Sequence, residues 1–174
     1  MKVLIIYGTT EGQTRKVATF LKDEAEKLGH TVTVADATEN PPAPVGFDVV
    51  LIGASLHMHN YQNSVFHYVK DNAEALNKLT SAFFSVCLSV MANDEETINE
   101  LKQITESFMA DTGWKPVDIE QVPGALLYTK YDFFKKMIMR MIAKREGHQT
   151  STKEDYEYTD WVKVRAFLNR MLKA

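Results

Sequence analysis

Short apolar runs along the chain alternate with stretches in which apolar residues recur at helical spacing. Strands are predicted at residues 3–7, 31–35, 48–54, 81–90 and 117–128. The third run is almost wholly apolar, which is typical of a strand covered on both faces in a parallel sheet. The last run is interrupted at Pro123 and Gly124, which indicates a bulge or two short pieces.

Helical periodicity fills the intervals between the strands. Helices are predicted at residues 14–28, at 65–79, from 93 onward, at 131–144 and at 159–173. Gly29 is expected to close the first helix at its C′ position. The third helix opens on an acidic turn, and we expect its inner face to carry Ile98, Leu101, Ile104 and Phe108. The alternation predicts an α/β protein with a five-stranded parallel sheet and helices on both faces.

The turn between the first strand and the first helix is rich in hydroxyl groups and glycine. The first turn of a helix leaves backbone N–H groups unpaired at the positive end of the helix dipole, so anions bind there. Thr9, Thr10 and Thr14 add hydroxyl donors, and Gly12 allows the backbone to approach a ligand closely. A bland alternative is that the turn merely caps the first helix.

The charge of this turn narrows the anion that it suits. No basic residue precedes Arg15, and a P-loop would carry a Lys-Ser/Thr pair for a triphosphate with Mg²⁺. The spacing of Gly8 and Gly12 also fails the dinucleotide pattern G-x-G-x-x-G. The turn therefore favours a phosphate monoester held by neutral donors.

Composition bounds the class of protein. The chain of 174 residues fits one domain, residues 1–174, and its formal charge of −3 gives no general attraction to nucleic acid. Its one cysteine, Cys87, excludes an internal disulfide and suits a reducing compartment. We find neither a signal peptide nor an apolar run long enough to span a membrane, so we expect a cytoplasmic protein.

In a sheet of this kind the ligand lies at the carboxyl ends of the strands. The segments that matter are then residues 8–13, residues 55–63, the end of the run at 81–90, and the region after Leu127. All four are rich in Thr, Ser, His, Tyr and Asn, although surface loops are polar in any case.

Two levels of resemblance appear in these segments. Ile5-Ile6-Tyr7-x-Thr9-x-x-Gly12-x-Thr14-x-x-x-Ala18-x-x-Leu21 resembles the phosphate-loop pattern of flavodoxins at every specified position. A narrower group, the flavodoxin-domain protoporphyrinogen dehydrogenases that pass electrons to quinone, is similar in further pieces along nearly the whole chain. These are Gly12-Gln13-Thr14-Arg15, Ile52-Gly53-Ala54-Ser55, Ser81-Ala82-Phe83-Phe84-Ser85-Val86, Trp114-x-Pro116, Gly124-Ala125-Leu126-x-Tyr128 and Tyr158-Thr159-Asp160-Trp161.

The resemblance implies a flavodoxin-like three-layer sandwich, strand order 2-1-3-4-5, that binds FMN without a covalent bond. Its phosphate would lie on Thr9, Thr10, Glu11, Gly12, Gln13 and Thr14. Its ring would lie between Ser55, Leu56 and His57 on one side and Ser85, Val86, Cys87 and Leu88 on the other. A family region near Thr150 and Thr152 is expected to close over the site.

The implied activity is oxidation of protoporphyrinogen IX to protoporphyrin IX with a quinone as electron acceptor, a step of heme biosynthesis. The flavin would carry the redox step, so no catalytic acid or base is assigned. The chain departs from the family in one respect. Residues 91–105 occupy a variable insertion that is basic and polar in the family, whereas Asn93-Asp94-Glu95-Glu96 is acidic here. The departure weakens any role of this segment in gripping the propionates of the substrate or anionic lipid.

Several residues keep two interpretations. His57 and His59 could relay protons near the flavin or be ordinary exposed loop histidines, and no third ligand at suitable spacing supports a metal. Cys87 could be a buried inert thiol or a redox thiol beside the flavin. Trp114 and Trp161 are expected in the core.

The segment at residues 131–145 combines an apolar face with Lys135, Lys136 and Arg140 on the other side. A helix that covers the sheet would show this pattern. So would a basic helix that rests on a membrane or grips propionates.

Two other functions compete with the dehydrogenase. A flavodoxin-type electron carrier would do no chemistry of its own, but such carriers tend to be strongly acidic around the flavin. A phospho-receiver of the same topology is disfavoured, because the third strand ends at Ile52-Gly53-Ala54-Ser55 with no aspartate to accept a phosphoryl group. The sequence predicts no oligomeric state.

Overall fold

A five-stranded parallel sheet in the order 2-1-3-4-5 forms the centre of the molecule, as the resemblance implied. The computed structural model describes residues 1–92, 94–126 and 156–173. The strands of this sheet are β1 (Lys2–Gly8), β2 (Thr31–Asp36), β3 (Val49–Ser55), β4 (Thr80–Cys87) and β5 (Asp118–Pro123). The bounds of β1, β2 and β3 agree with the predicted runs to within one residue, whereas β4 and β5 end earlier than predicted.

Helices cover both faces of the sheet, which confirms the predicted layering. They are α1 (Gln13–Lys27), α2 (Asn63–Leu76), α3 (Glu95–Thr112) and α4 (Trp161–Met171). On one face α1 and α4 pack against Val3 and Ile5 of β1. On the other, α2 and α3 pack against Leu4 and Ile6. Neighbouring residues of one strand thus enter opposite cores, which explains why the strand is apolar throughout.

Trp114 lies in the core and Trp161 packs against it, as the sequence predicted. Trp114 is buried and its indole N–H donates to the Ser81 hydroxyl at 2.8 Å. Trp161 is half-buried at the start of α4, with its ring centroid 4.7 Å from that of Phe20. At the end of α1, Gly29 adopts a φ of 85° and its N–H donates to the Glu26 carbonyl, which confirms the predicted helix end.

The break at Pro123 and Gly124 separates two short strands, one of the two outcomes predicted for it. β5 ends at Pro123, opposite Cys87 at the end of β4. After Gly124, β6 (Ala125–Leu126) leaves the parallel sheet and pairs antiparallel with β7 (Tyr156–Glu157). The prediction of one strand to residue 128 was therefore wrong beyond the break, because the second piece has a different partner.

Two further predictions need correction. The fourth strand was expected to reach residue 90, but β4 ends at Cys87 and a 3₁₀ turn, Leu88–Ala92, follows. Ile98 was expected on the inner face of α3, but it is 51% exposed, whereas Leu101 and Phe108 are buried. The first turn of α3 starts at the carboxyl edge of the sheet, so Ile98 lies beyond the surface that its later neighbours cover.

The predicted helix at residues 131–144 lies outside the described residues. Within the described part of the chain, no helix is long and apolar enough to cross a membrane.

Candidate functional site

A cleft of about 310 Å³ opens at the carboxyl edge of the sheet, between the turns that follow β1, β3 and β4. This volume lies within the range of roughly 300–1,000 Å³ that is usual for small-molecule sites. Its lining comprises Thr9, Thr10, Glu11, Gln13, Thr14, Ser55, Leu56, His57, Met58, His59, Val86, Cys87, Leu88, Ser89, Glu100, Leu101, Ile104, Gly124 and Ala125. The cleft thus lies where the sequence placed the ligand.

The turn at residues 9–14 forms the polar end of the cleft. Gly12 adopts a left-handed φ of 95° directly before α1, a conformation that glycine reaches without strain. Its N–H donates to the Thr9 hydroxyl at 2.9 Å, which fixes the turn. The next N–H groups, from Gln13 onward, belong to the first turn of α1 and have no acceptor within that helix.

The hydroxyl of Thr14 is the strongest sign of a ligand at this end. Thr14 is fully buried, and its Oγ1 has no hydrogen-bond partner within the described protein. An unpaired buried hydroxyl costs about 1–3 kcal/mol, and a ligand that formed a hydrogen bond with it would offset that cost. Because the cleft-lining residues described include no lysine or arginine, the donors here are neutral. This donor set fits a phosphate monoester at a helix N-terminus.

The loop after β3 is tied to the same turn. The Thr10 N–H donates to the Ser55 hydroxyl at 3.2 Å, and the Gln62 side-chain amide donates to Thr10 Oγ1 at 3.0 Å and to Ser55 Oγ. Gln62 Oε1 in turn accepts from the Ser55 N–H at 3.1 Å. Gln62 therefore holds the polar end of the cleft to the loop that forms one of its walls.

That loop ends in a tight turn with an unusual backbone. His57 and Asn60 exchange two backbone hydrogen bonds of 3.0 Å, and the two residues between them, Met58 and His59, have φ values of 48° and 65°. A turn with two positive φ values normally uses Asn-Gly, and other residues there cost about 1 kcal/mol or more each. Strained backbone conformations cluster at functional sites, and here Met58 and His59 both line the cleft.

The remaining walls are mainly apolar. Leu56 faces the cleft from the loop, Val86 from the end of β4, Leu88 from the 3₁₀ turn after it, and Leu101 and Ile104 from α3. A slot of this composition suits a flat apolar ring that is connected to a phosphate. Cys87 also lines the slot but is only 8% exposed, and its Sγ accepts from the Ser89 N–H at 3.3 Å.

A buried polar network lies behind this wall. The Tyr61 hydroxyl donates to Ser85 Oγ at 2.9 Å and lies 3.1 Å from Thr105 Oγ1, which also accepts from the Gln121 amide at 3.1 Å. Burial raises the pKa of Tyr61, although its bonds to Ser85 and Thr105 oppose that shift, so the phenol stays neutral. The network joins the loop after β3, β4, α3 and β5, and so fixes the spacing of the walls.

Polar side chains also join α1 to the hairpin of β6 and β7. Gln13 Nε2 donates to Glu157 at 2.7 Å and to the Thr159 hydroxyl at 2.8 Å, and Lys16 Nζ donates to Glu157 at 2.7 Å. Burial alone would raise the pKa of Glu157, but the bonds from Lys16 and Gln13 outweigh it and the pKa is lowered. We call these four residues the hairpin clamp.

Most residues singled out from the sequence lie together in the cleft. Gly12 lies within the turn at residues 9–14. Ser85 does not line the cleft, because it is fully buried in β4 behind the wall. Thr150 and Thr152 lie outside the described residues. Met58 and Ser89 lie in segments that the sequence placed at the ligand edge, although neither residue was named. Sequence reasoning did not place Glu100, Leu101, Ile104, Gly124 and Ala125 in the site.

One side-chain contact crosses the rim of the cleft. His59 Nε2 lies 2.7 Å from Glu100 Oε1, which joins the strained turn to α3. His57 is half-buried and His59 is exposed, so the two histidines of the loop differ in their surroundings. In the described part of the chain, no group of three or more His, Cys, Asp or Glu side chains could hold a metal ion.

Comparison with known proteins gives consistent similarities. The model of a flavodoxin domain family matches residues 4–153. Protoporphyrinogen IX dehydrogenase (quinone) of Escherichia coli strain K12 is 33% identical over 168 residues, which cover 96% of this chain and 92% of that protein. The Leishmania major protein of the same name is 32% identical over 95% of this chain and 72% of its own.

Solved structures agree at the level of the fold. Oxidised flavodoxin 1 from Bacillus cereus superimposes with a TM-score of 0.60 at 15% identity, covering 99% of this chain and 98% of its own. A short-chain flavodoxin associated with a bacterial microcompartment gives a TM-score of 0.58 at 11% identity. The superposition covers 99% of this chain and 97% of that one.

Proposed function

Because this chain belongs to the flavodoxin-domain family, we propose that it is an FMN-dependent protoporphyrinogen IX dehydrogenase with a quinone as electron acceptor. The enzyme would oxidise the porphyrinogen to protoporphyrin IX, a step of heme biosynthesis. The observation that carries this function is the cleft itself, in which a neutral phosphate turn meets a flat apolar slot. The similarity to dehydrogenases over 96% of the chain supports the choice of substrate.

We assign the polar end of the cleft to the phosphate of FMN. Thr9, Thr10 and Thr14 would supply hydroxyl groups, and Glu11 and Gln13 backbone N–H groups, while Gly12, whose N–H donates to Thr9, would let the backbone approach the phosphate closely. Glu11 fits this role through its N–H only, because a carboxylate facing a phosphate would repel it. The buried, unpaired hydroxyl of Thr14 supports the assignment.

We assign the apolar slot to the flavin ring. Ser55, Leu56 and His57 would flank it on one side, and Val86, Cys87 and Leu88 on the other. Bound FMN supplies the two-electron redox chemistry of the reaction. The protein positions the reactants and excludes water, and Tyr61 behind the wall keeps the slot at a fixed width. Ser85 acts here as a structural partner of Tyr61, and Thr152 stays a proposed contact that lies outside the described residues.

The first experiment tests the cofactor and the second the activity. The purified protein should show flavin absorption bands or gain them on addition of FMN. Under anaerobic conditions, the FMN-loaded protein with a menaquinone analogue should oxidise protoporphyrinogen IX faster than the same concentration of free FMN.

The outcomes separate the competing functions. A protein that binds no FMN would contradict both the dehydrogenase and the carrier. A protein that binds FMN, but oxidises the porphyrinogen no faster than free FMN and is reduced by a partner flavoprotein, would be an electron carrier.

We further propose that the whole chain, residues 1–174, forms one domain that acts in the cytoplasm and contacts the membrane through residues 131–145. The apolar and basic faces of that segment support the proposal. The protein should bind to anionic vesicles in a sedimentation assay. Replacement of Lys135, Lys136 and Arg140 by glutamine should weaken that binding.

A further inference from the structure

The charges on the cleft wall are unfavourable for an anionic substrate. The residues that line the cleft in the described structure include two acids, Glu11 and Glu100, and no lysine or arginine. Glu11 lies in the phosphate turn, whereas Glu100 lies on α3 next to Leu101, at the apolar part of the cleft. A tetrapyrrole that approaches this part of the cleft therefore meets the Glu100 carboxylate, which is bonded to His59, and meets no lysine or arginine among the described lining residues.

The position of Glu100 is set by two contacts with the surrounding structure. Its backbone belongs to the second turn of α3, and its Oε1 lies 2.7 Å from Nε2 of His59. His59 is held in turn by the strained pair of positive φ values at Met58 and His59. The carboxylate thus stands at the rim of the cleft, although its side chain is 51% exposed.

Protoporphyrinogen IX carries its negative charges on one edge of the tetrapyrrole ring only. The two propionates of protoporphyrinogen IX lie on neighbouring pyrroles, so the opposite edge carries only methyl and vinyl groups. A tetrapyrrole with a propionate on every pyrrole presents a carboxylate in any orientation. A negative rim admits the uncharged edge of the first molecule and repels every edge of the second.

We propose that Glu100 is a specificity-determining residue, which makes the dicarboxylate porphyrinogen enter with its uncharged edge first and disfavours tetracarboxylate porphyrinogens. This inference rests on the proposed function, because it concerns the substrate of the same cleft. Met58, Leu101 and Ile104, which lie outside the two sides assigned to the flavin ring, then contact the methyl and vinyl edge, and the propionates stay outside this part of the cleft.

The test compares charge variants of two glutamates on α3. The variants are Glu100→Gln, Glu100→Lys and, as a control, Glu106→Gln. Glu106 is also exposed and lies on the same helix, but it does not line the cleft. For each FMN-loaded protein, the Kd of protoporphyrin IX and of coproporphyrin III is measured by fluorescence quenching, and kcat/KM is measured for the two porphyrinogens.

The wild-type protein should prefer the dicarboxylate. Glu100→Gln should reduce this preference by about three- to tenfold, because repulsion between partly screened charges is of that order. Glu100→Lys should reduce it further, Glu106→Gln should retain it, and 0.5 M salt should shrink the difference between wild type and Glu100→Gln. Thermal unfolding of each variant checks that the fold is retained.

Other results would overturn the inference. A preference that is unchanged in Glu100→Gln, or changed equally in Glu106→Gln, would show that Glu100 does not select the substrate, while the proposed function would stand. A wild-type protein that binds FMN but neither binds protoporphyrin IX nor oxidises its porphyrinogen would overturn the proposed function and this inference together.

Discussion

The Thr14 hydroxyl is fully buried and unpaired in the described structure, which makes stability and binding separable at this residue. Thr14→Val keeps the shape and removes only the hydroxyl. We expect the free energy of unfolding of the FMN-free protein to stay constant or to rise by about 1 kcal/mol, because no protein bond is lost. The affinity for FMN should fall by about 1–3 kcal/mol, roughly 5- to 150-fold in Kd. Denaturant unfolding and flavin fluorescence titration measure the two quantities.

Thr14→Ser is the matched control, because it keeps the hydroxyl and removes a buried methyl group. It should lower the stability of the FMN-free protein by about 1 kcal/mol and retain most of the affinity for FMN. If Thr14→Val instead loses stability and keeps its affinity, the hydroxyl serves the fold and the phosphate has been assigned to the wrong turn.

Residues in the strained turn show the limit of prediction from sequence. His57 and His59 stand out in the sequence as a pair, yet their roles could not be separated there, because nothing local indicates a turn with two positive φ values at Met58 and His59. The pair between His59 and Glu100 joins residues 41 positions apart on two exposed surfaces. Glu100 has no pattern of its own, since exposed acids are common on helices.

Among the elements, the hairpin of β6 and β7 depends on the hairpin clamp. Because the pKa of Glu157 is lowered, its carboxylate stabilises the clamp at pH values above the ordinary pKa of glutamate. This contribution is lost as the pH falls through the lowered pKa. Glu157→Gln keeps an acceptor but loses the charge. At pH 7, we expect exchange of the Tyr158 amide, which donates to the Gly124 carbonyl at 3.1 Å, to become about two- to fivefold faster. Hydrogen exchange followed by NMR measures this rate.

Glu24, on the helix α1 that the clamp joins to the hairpin, provides the matched control. Hydrogen bonds from Arg165 and Lys27 lower its pKa to about 2, and through Arg165 it joins α1 to α4. Glu24→Gln should leave the exchange of the Tyr158 amide at the wild-type rate. Equal acceleration in both variants would mean that α1 as a whole has loosened, and that the clamp has no separate effect on the hairpin.

The parts of the fold that followed from sequence are those whose pattern is local and repeated. Apolar runs such as Val49–Ser55 specify a buried strand by themselves, because both faces must be covered. The strand β6 could not be predicted in this way, because it is two residues long and pairs with β7 some thirty positions later. Ser85 shows the same limit within the site. Its position in the sequence next to Val86 is correct, but alternation along β4 turns its side chain away from the cleft toward Tyr61.

On the scale of the whole molecule, the cleft is formed by parts that meet only because the strands end together. In the parallel register Gly8 lies opposite Ala54, and Ser55 opposite Val86, so the three turns after β1, β3 and β4 come to one edge. The turn at residues 9–14 could be singled out from the sequence because it is one continuous segment with a specific pattern. The start of α3 has a local signal in its acidic first turn, but the contribution of Leu101 and Ile104 to the cleft depends on how that helix packs, which no local pattern specifies.

Because FMN would contact three of these turns at once, its binding should stabilise the whole sheet. At a free concentration of one hundred times Kd, a ligand adds about 2.7 kcal/mol to the free energy of unfolding. For a protein of this size, that corresponds to a rise in Tm of roughly 5–11 °C. Riboflavin carries the same ring without the phosphate, so at the same concentration it should raise the Tm by less. Thermal unfolding followed by far-UV circular dichroism measures both shifts.

The difference between the Tm shifts of FMN and riboflavin reports the contribution of the turn at residues 9–14. Thr14→Val should reduce this difference. With riboflavin, the wild-type protein and Thr14→Val should give equal shifts, because the hydroxyl does not contact the ring in this assignment. Equal shifts for FMN and riboflavin in the wild-type protein would mean that the turn at residues 9–14 contributes nothing to binding. The neutral donors at the start of α1 would then serve only to begin the helix.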